Sequence, residues 1–397
     1  MTAAAGPLPS HDAHARRIAE ALGGTTFPAR TLGHDVHHGS TEPPDAFTTL
    51  FDAGGFARLV STTPLHPPRI RMYHGAALDP GRYMQVRQTR TELTYVAPDP
   101  DKVRSRLGEG ATLVIGMMDG LVPALDDTRR ALQWWLRCPI DTTGYLVHGA
   151  TSGFSPHVDD FDVVAVQLEG SKNWGLWDPT RAHPLERDVA RPQPPDGDPR
   201  WVTLKAGDVL YLPRGTWHTA ETTDPDGVST HLAMVLRRRT GIDWVGFLAD
   251  RLRASERFRA DLPVFADDTG AADHARALVD ELTAVAADAD WTAFVNHDLA
   301  TATVPPTGDL STVAVTSARR VRFVTPFRPA ISDDGSDTYC EAGGRRLRFD
   351  SRCRAMLDVL AGGGWFDIAE LPCGNLPDRA LPDTLTALAA AGLIQLR

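Results

Sequence analysis

Three observations place this chain of 397 residues in a mixed α and β class. Between Gly144 and Leu236, short apolar or alternating runs (GYLVHG, DVVAVQLEG, NWGLWDP, WVTLKAGDVLYLP, STHLAMVL) are divided by turn residues, the spacing of an all-β sandwich or barrel. After Arg239 the pattern turns helical, through WVGFLADRLRASERF and then HARALVDELTAVAADADWTAFVNHDLA. From about Ser311 a third unit begins: strand-like Arg345 to Phe349, helical Ser351 to Leu360 and Pro382 to Ala391, and a closing LIQLR. Helix, turn, helix and terminal strand is the outline of a winged helix.

The elements ahead of the β region follow from the same patterns. His14 to Leu22 suits one helix, and PPDAFTTLFDAGGFARLV (Pro43 to Val60) reads as two helical stretches broken by Gly54 and Gly55. Arg69 to Tyr73 and Thr112 to Ile115 read as strands, and Leu125 to Leu136 as an amphipathic helix. Arg191 to Arg200 (RPQPPDGDPR) is too rich in proline for a strand and is expected to be a surface loop. In the helical region, Leu278, Leu282 and Val285 are spaced for one buried face.

Composition narrows the function classes. A net charge of -10 argues against gripping nucleic acid and suits a basic partner. Cys138, Cys340, Cys353 and Cys373 form no CxxC pair, which argues against a structural zinc or a disulfide framework. No signal-peptide core and no apolar run of about 18 residues is present, so a reduced, cytoplasmic enzyme with no membrane span is expected.

The chemistry concentrates in His157-Val158-Asp159, followed much later by His218. On a strand, residues i and i+2 share a face, so His157 and Asp159 can converge on one ion. His218, after the strand AGDVLYLP and a Pro-Arg-Gly turn, supplies a third ligand from a facing strand. Two histidines and one carboxylate leave three positions open, the usual site of non-haem iron(II) oxygenases. Two of those positions suit a bidentate 2-oxo acid and one suits dioxygen. An isolated HxD is weak; its place at a loop-to-strand edge, after Ser155-Pro156, strengthens it.

GFSPHVDDFDVVAVQLEGSKNWGLWDP, LKAGDVLYLPRGTWHTAET and STHLAMVL resemble the JmjC-containing cupin family, in its ribosomal-oxygenase branch. The resemblance implies a double-stranded β-helix core, a helical dimerisation region and a C-terminal winged helix, here residues 1–240, 241–310 and 311–397. It implies iron(II), 2-oxoglutarate and dioxygen as cofactors, with His157, Asp159 and His218 holding the metal. Lys172 matches the family's basic residue for the distal carboxylate of 2-oxoglutarate, and a dianion in a partly dry barrel needs such a cation. Without the triad, Lys172 would read as an exposed hairpin lysine in Gly170-Ser171-Lys172-Asn173. Tyr145 matches a position lining the cosubstrate pocket, and Thr143 stands where the family commonly has an asparagine. Ser229 and His231 fall on a strand bordering the same cavity, as cosubstrate neighbours or as packing residues. The usual HYD reads HVD, with Val158, and Trp217 precedes the distal histidine.

The implied activity is hydroxylation of a C–H bond in a protein or peptide side chain, arginine or histidine of a basic ribosomal protein, by a homodimer. Tailoring of a peptide natural product or of a free amino acid derivative is a second reading, and a non-catalytic cupin and winged-helix binding module a third. Other candidates carry less. His34, His37 and His38 sit in a glycine-flanked loop pattern, and His66, His74 and His148 have no partner at ligand spacing. Arg237-Arg238-Arg239 reads as a solvated strand end, and Gly362-Gly363-Gly364 as a helix stop.

Overall fold

The computed structural model describes residues 8–9, 11–91, 94–151, 153–189, 195–224, 227–289, 291, 294–295, 315, 317–372 and 379–397. The chain divides into two units, residues 1–237 and 238–397.

The first unit is built on two facing sheets. Its strands are β1 (His37–Ser40), β2 (Ile70–His74), β3 (Ala76–Ala77), β4 (Met84–Gln88), β5 (Thr94–Pro98), β6 (Thr112–Ile115), β7 (Ile140–His148), β8 (Asp162–Glu169), β9 (Ser171–Trp177), β10 (Arg200–Lys205), β11 (Asp208–Leu212), β12 (Trp217–Glu221) and β13 (Val228–Leu236). The larger sheet runs β1-β11-β8-β13-β7-β6-β2-β3 and the smaller β10-β9-β12, with β4 and β5 as a separate hairpin. The paired strands are antiparallel.

The central strands are apolar on both faces because both faces are covered. In β8, Val164, Val166 and Leu168 join the core beneath the helices, while Val163 and Ala165 point into the space between the sheets. There they meet Trp174, Leu176, Leu210, Leu212, Ala220 and Ala233. The outer core is closed by the helices Ala13–Ala21, Ala53–Thr62 and Pro123–Leu136, the last burying Leu125, Leu132 and Trp135. Full burial of such a side chain is worth about 1.5–3 kcal/mol, so the sandwich is held largely by these two cores.

The turn from β8 into β9 fixes the register of everything on β9. Gly170 has φ +65, and a Cβ there would lie 2.1 Å from the carbonyl oxygen of Val228 on β13. Only glycine meets both the left-handed backbone and the close approach.

The second unit contains the helices Gly241–Leu252, Glu256–Arg259 and Asp268–Asp288. It also contains β14 (Arg320–Phe323), β15 (Ala330–Asp333), β16 (Asp337–Ala342), β17 (Arg345–Asp350), β18 (Phe366–Asp367) and β19 (Ile394–Leu396). These form the sheets β18-β14-β19 and β15-β16-β17. The helices Arg354–Leu360 and Ala380–Ala390 bury Met356, Leu357, Leu360, Leu385 and Leu388. Gly363 and Gly364, both at positive φ, follow the first of these helices. Cys138, Cys340 and Cys353 are buried and form no disulfide among the described residues, and Cys373 lies outside them. No described helix is long and apolar enough to cross a membrane.

Four expectations change. Gly54 and Gly55 do not break a helix: they lie in the first turn of Ala53–Thr62, where Asp52 caps by accepting from the Gly55 N–H at 2.6 Å. A Cβ on Gly55 would come within 2.5 Å of the Phe51 ring, so close packing, not helix termination, selects glycine there. His37 and His38 belong to β1, not a loop; His37 bonds the Ala21 carbonyl and His38 pairs with Asp208. Arg200 opens β10, while 191–194 of the expected loop lie outside the described residues. The helix Asp268–Asp288 fully buries no residue: on the expected face Leu278 and Val285 are half-buried and Leu282 is 38% exposed, and Val279 beside it is 58% exposed.

Gly170→Ala is expected to lower stability by at least about 2 kcal/mol, since it adds a backbone clash to a left-handed φ, measurable by chemical denaturation.

Candidate metal centre

His157, Asp159 and His218 converge, with one potential ligand atom from each lying within 4.8 Å of the others. They form the single such trio among the described residues. The backbone builds the site. His157 and His218 form an isolated antiparallel bridge, His157 N–H donating to the His218 carbonyl at 3.0 Å and His218 N–H returning at 2.9 Å. His157 and Asp159 are therefore not on a strand, as the i, i+2 argument supposed. They lie on the approach to β8, while His218 is the second residue of β12. The bridge does the work expected of the strand, bringing the two ring centroids to 4.2 Å.

Both imidazoles are oriented alike. Nδ1 of His157 lies 3.0 Å from the Ser155 carbonyl, and Nδ1 of His218 lies 3.1 Å from the Thr216 carbonyl. A carbonyl only accepts, so each Nδ1 carries the proton and each Nε2 keeps its lone pair for a metal. His218 Nε2 stands 3.7 Å from Asp159 Oδ2. Burial, with His157 beside it, pushes His218 down to about 3, which holds it neutral and ready to ligate. Burial raises the Asp159 carboxyl, with His157 opposing the shift, the behaviour of an anion awaiting a cation.

Asp162, which the sequence did not single out, ties these pieces together. Its buried carboxylate accepts from the Tyr211 hydroxyl at 2.7 Å and from the Arg214 N–H at 2.9 Å. Tyr211 also receives the Gly33 N–H at 2.6 Å, and Gly215 N–H donates to the Asp159 carbonyl at 3.0 Å. The turn that leads into His218 is thus fixed to the start of β8 and to the Asp159 backbone.

The trio opens into a cavity of about 590 Å³ that Thr143, Tyr145, Lys172, Trp174 and His231 also line. Lys172 is 3% exposed, not a solvated turn lysine, because Lys172, Trp174 and Leu176 alternate onto the inner face of β9. Its ammonium makes no hydrogen bond or ion pair with a described residue, and burial pushes it down to about 8. His231 lies parallel to the Tyr145 ring at 4.6 Å, and burial together with the Lys172 charge keeps it neutral. Tyr145 is pushed up to about 12 by burial and the Asp159 charge, so its phenol stays a donor. His231 Nδ1 and Trp174 Nε1 are buried without hydrogen-bond partners among the described residues.

Ser229 departs from expectation. It is buried and accepts from the Gln167 amide at 2.9 Å, and it does not line the cavity. Two residues along β13, at a distance of one pleat repeat, it has run past the cavity that His231 faces. Arg237 also departs: it is no mere solvated strand end, for it lines the cavity with its guanidinium 5.2 Å above the Phe161 ring. Val158 and Trp217 do not line the cavity, and Trp217 is buried with its Nε1 donating to Thr180 at 2.9 Å. A larger cavity of about 950 Å³ near Trp177 and Arg214 shares no lining residue with this one.

Asp162→Ala leaves the buried Tyr211 hydroxyl and Arg214 N–H short of an acceptor, a loss of about 2–4 kcal/mol. Weakened binding of a divalent transition metal is expected with it, read by calorimetry on the folded variant.

Comparison with known proteins agrees with this geometry. Residues 124–242 match the JmjC domain family. The chain is 38% identical over 104 residues to the bifunctional lysine-specific demethylase and histidyl-hydroxylase NO66 of Drosophila persimilis, covering 26% of the chain and 15% of that protein. It is 37% identical over 110 residues to ribosomal oxygenase 2 of Rattus norvegicus, covering 27% of the chain and 23% of that protein. The matched stretch is therefore under a quarter of the length of either relative. The fold resembles that of YcfD, a ribosomal oxygenase from Escherichia coli solved in complex with cobalt and 2-oxoglutarate, at a TM-score of 0.54 and 15% identity over 94% of this chain and 97% of that one. Residues 124–242 thus match the JmjC domain family, and the chain has a mixed α and β fold like that of the solved ribosomal oxygenase.

Proposed function

We propose that this protein is an iron(II)- and 2-oxoglutarate-dependent oxygenase that hydroxylates a C–H bond of a protein or peptide side chain. The observation that carries the proposal is Lys172: a buried ammonium without an anionic partner, facing the same cavity as two histidines and a carboxylate set for a metal. A plain metal-binding cupin has no need of that cation, and burying one unpaired is costly. The relatives support the reading by what their names state, histidyl hydroxylation and ribosomal oxygenation, and YcfD by its bound cobalt and 2-oxoglutarate.

When bound, iron(II) with 2-oxoglutarate and dioxygen supplies an oxidant that inserts one oxygen atom into a C–H bond, with release of succinate and carbon dioxide. The chain's own residues do the rest. His157, Asp159 and His218 hold the metal from one side and leave the cavity side open. Lys172 gives a charge-assisted hydrogen bond to the far carboxylate of the cosubstrate. The Tyr145 phenol and the indole N–H of Trp174 stand as further donors in the same space, and neutral His231 braces the Tyr145 ring. Thr143, opposite Ala233 on β13, lines the cavity as well.

The family resemblance adds three readings. Residues 1–240 serve as the catalytic domain, 241–310 as a dimerisation region and 311–397 as a winged helix. Exposed Ile242, Val245, Val279 and Leu282 favour a homodimer that covers them, and burial of that apolar area on association is the physical drive. A cytoplasmic protein substrate, such as a ribosomal protein with a target histidine or arginine, follows from the same resemblance.

The decisive experiment measures succinate on addition of iron(II), 2-oxoglutarate and candidate peptides, together with a mass gain of about 16 Da, one oxygen atom, on the peptide. Failure to bind both metal and 2-oxoglutarate would sink the proposal. Lys172→Met is expected to abolish 2-oxoglutarate binding. It should also stabilise the metal-free protein by on the order of 2 kcal/mol, because an unpaired buried ammonium is replaced by an apolar chain of similar size.

The pH dependence follows from Lys172. Its ordinary value near 10.5 falls to about 8 in the folded chain, so the charged form is the one that folding penalises. The metal-free protein should therefore gain stability as pH rises from about 8 towards 10.5. Affinity for 2-oxoglutarate should fall over the same rise, as the ammonium is lost. Paired titrations by thermal melting and by calorimetry check both signs.

A further inference from the structure

We infer that the mouth of the metal cavity reads a negative charge on the substrate, a carboxylate next to the group that is oxidised. The inference rests on the oxygenase reading for the charges deep in the cavity and on the arginines for the mouth. Deep in the cavity, iron(II), the Asp159 carboxylate, the Lys172 ammonium and a 2-oxoglutarate dianion cancel. Outside that set the lining carries Arg69, Arg71 and Arg237 against one carboxylate, Asp141. Arg237 Nε lies 3.4 Å from Asp141 Oδ2, so the acid at the mouth already has its counter-ion. Two positive charges are left unmet.

The two remaining guanidiniums differ in how they are held. Arg69 Nη2 donates to the Met117 carbonyl at 2.6 Å, and its Nε is buried without a hydrogen-bond partner among the described residues. Met117 itself adopts φ 52 without being glycine, a backbone outlier at the rim that aims its carbonyl at Arg69. Arg71 is exposed, makes no hydrogen bond or ion pair with a described residue, and is close enough to bear on the Tyr145 phenol. A planar guanidinium free at a cavity mouth is suited to bidentate recognition of a carboxylate. A cationic substrate side chain would instead meet like charge on entry, which costs affinity and slows encounter. The net charge of -10 therefore misleads at this point: the surface as a whole is acidic while the entrance is basic. An arginine target in a basic protein is the part of the family expectation that this mouth opposes; a neutral residue flanked by acidic ones suits it.

The test measures binding directly. Fluorescence anisotropy on the full chain, with cobalt(II) and 2-oxoglutarate present, compares histidine-centred peptides flanked by glutamates or by lysines. The acidic peptide is expected to bind at least about tenfold more tightly, with the margin shrinking as salt is raised. Arg71→Glu should reverse the ranking, and Arg71→Gln should level it; Arg71 is exposed and unpaired, so both variants are expected to fold. Equal or tighter binding of the lysine peptide, or a ranking indifferent to Arg71→Glu, overturns the inference. Free glutamate as competitor assigns the source: displacement points to a small acid, and no displacement to an acidic peptide. Because the readout is binding, a wild type that prefers the acidic peptide without turning over 2-oxoglutarate would defeat the oxygenase reading alone.

Discussion

The site depends on one pair of backbone hydrogen bonds, those between His157 and His218. The two residues come from separate sheet margins 61 positions apart in the chain (218 − 157), and neither margin alone presents a ligand set. Once the bridge is closed, each ring is turned by the same local device, an Nδ1–H donated to the carbonyl two residues earlier. The tautomer that a metal requires is thereby written into the backbone. Asp162 secures the bridge from behind by holding the turn before His218 to the start of β8.

A second constraint runs against stability. Lys172 and Asp159 are charges kept where water is scarce, and each is shifted in the direction that burial dictates. Trp174 and His231 add buried nitrogens with unmet hydrogen-bonding capacity. A core built only to fold would replace all of these by apolar side chains. Lys172, Asp159, Trp174 and His231 line one cavity, whereas Val163, Ala165, Leu176, Leu210 and Leu212 fill the apolar core between the sheets.

Much of this was legible in the sequence. Turn-divided apolar runs marked β7 to β13, and the HxD with a distant histidine marked the trio, because short strands and metal ligands impose spacing on a single chain. Lys172 was reached by resemblance, and its inward face follows from alternation with Trp174 and Leu176. What escaped is what depends on three dimensions. The isolated bridge leaves no periodic signature. Asp162 follows Asp159-Asp160-Phe161 with nothing to distinguish it, and its role appears only when Tyr211 and Arg214 are brought to it. Ser229 shares a strand with His231 yet overshoots the cavity, and strand membership cannot tell depth. The face of Leu278, Leu282 and Val285 is only partly covered, because periodicity reports an apolar face and not how completely it is buried.

The turn at Gly170 has a consequence for how such a protein can change. Lys172 reaches the cavity because it sits two residues beyond that turn, and Ser171 and Asn173 on either side face away. Loss or gain of one residue there would flip the whole strand, sending the ammonium to solvent and a short polar side chain inward. His157, Asp159 and His218 are carried by other segments and would remain. On the proposed reading, a single-codon length change would withdraw the Lys172 cation from the cavity and leave the three candidate metal ligands in place.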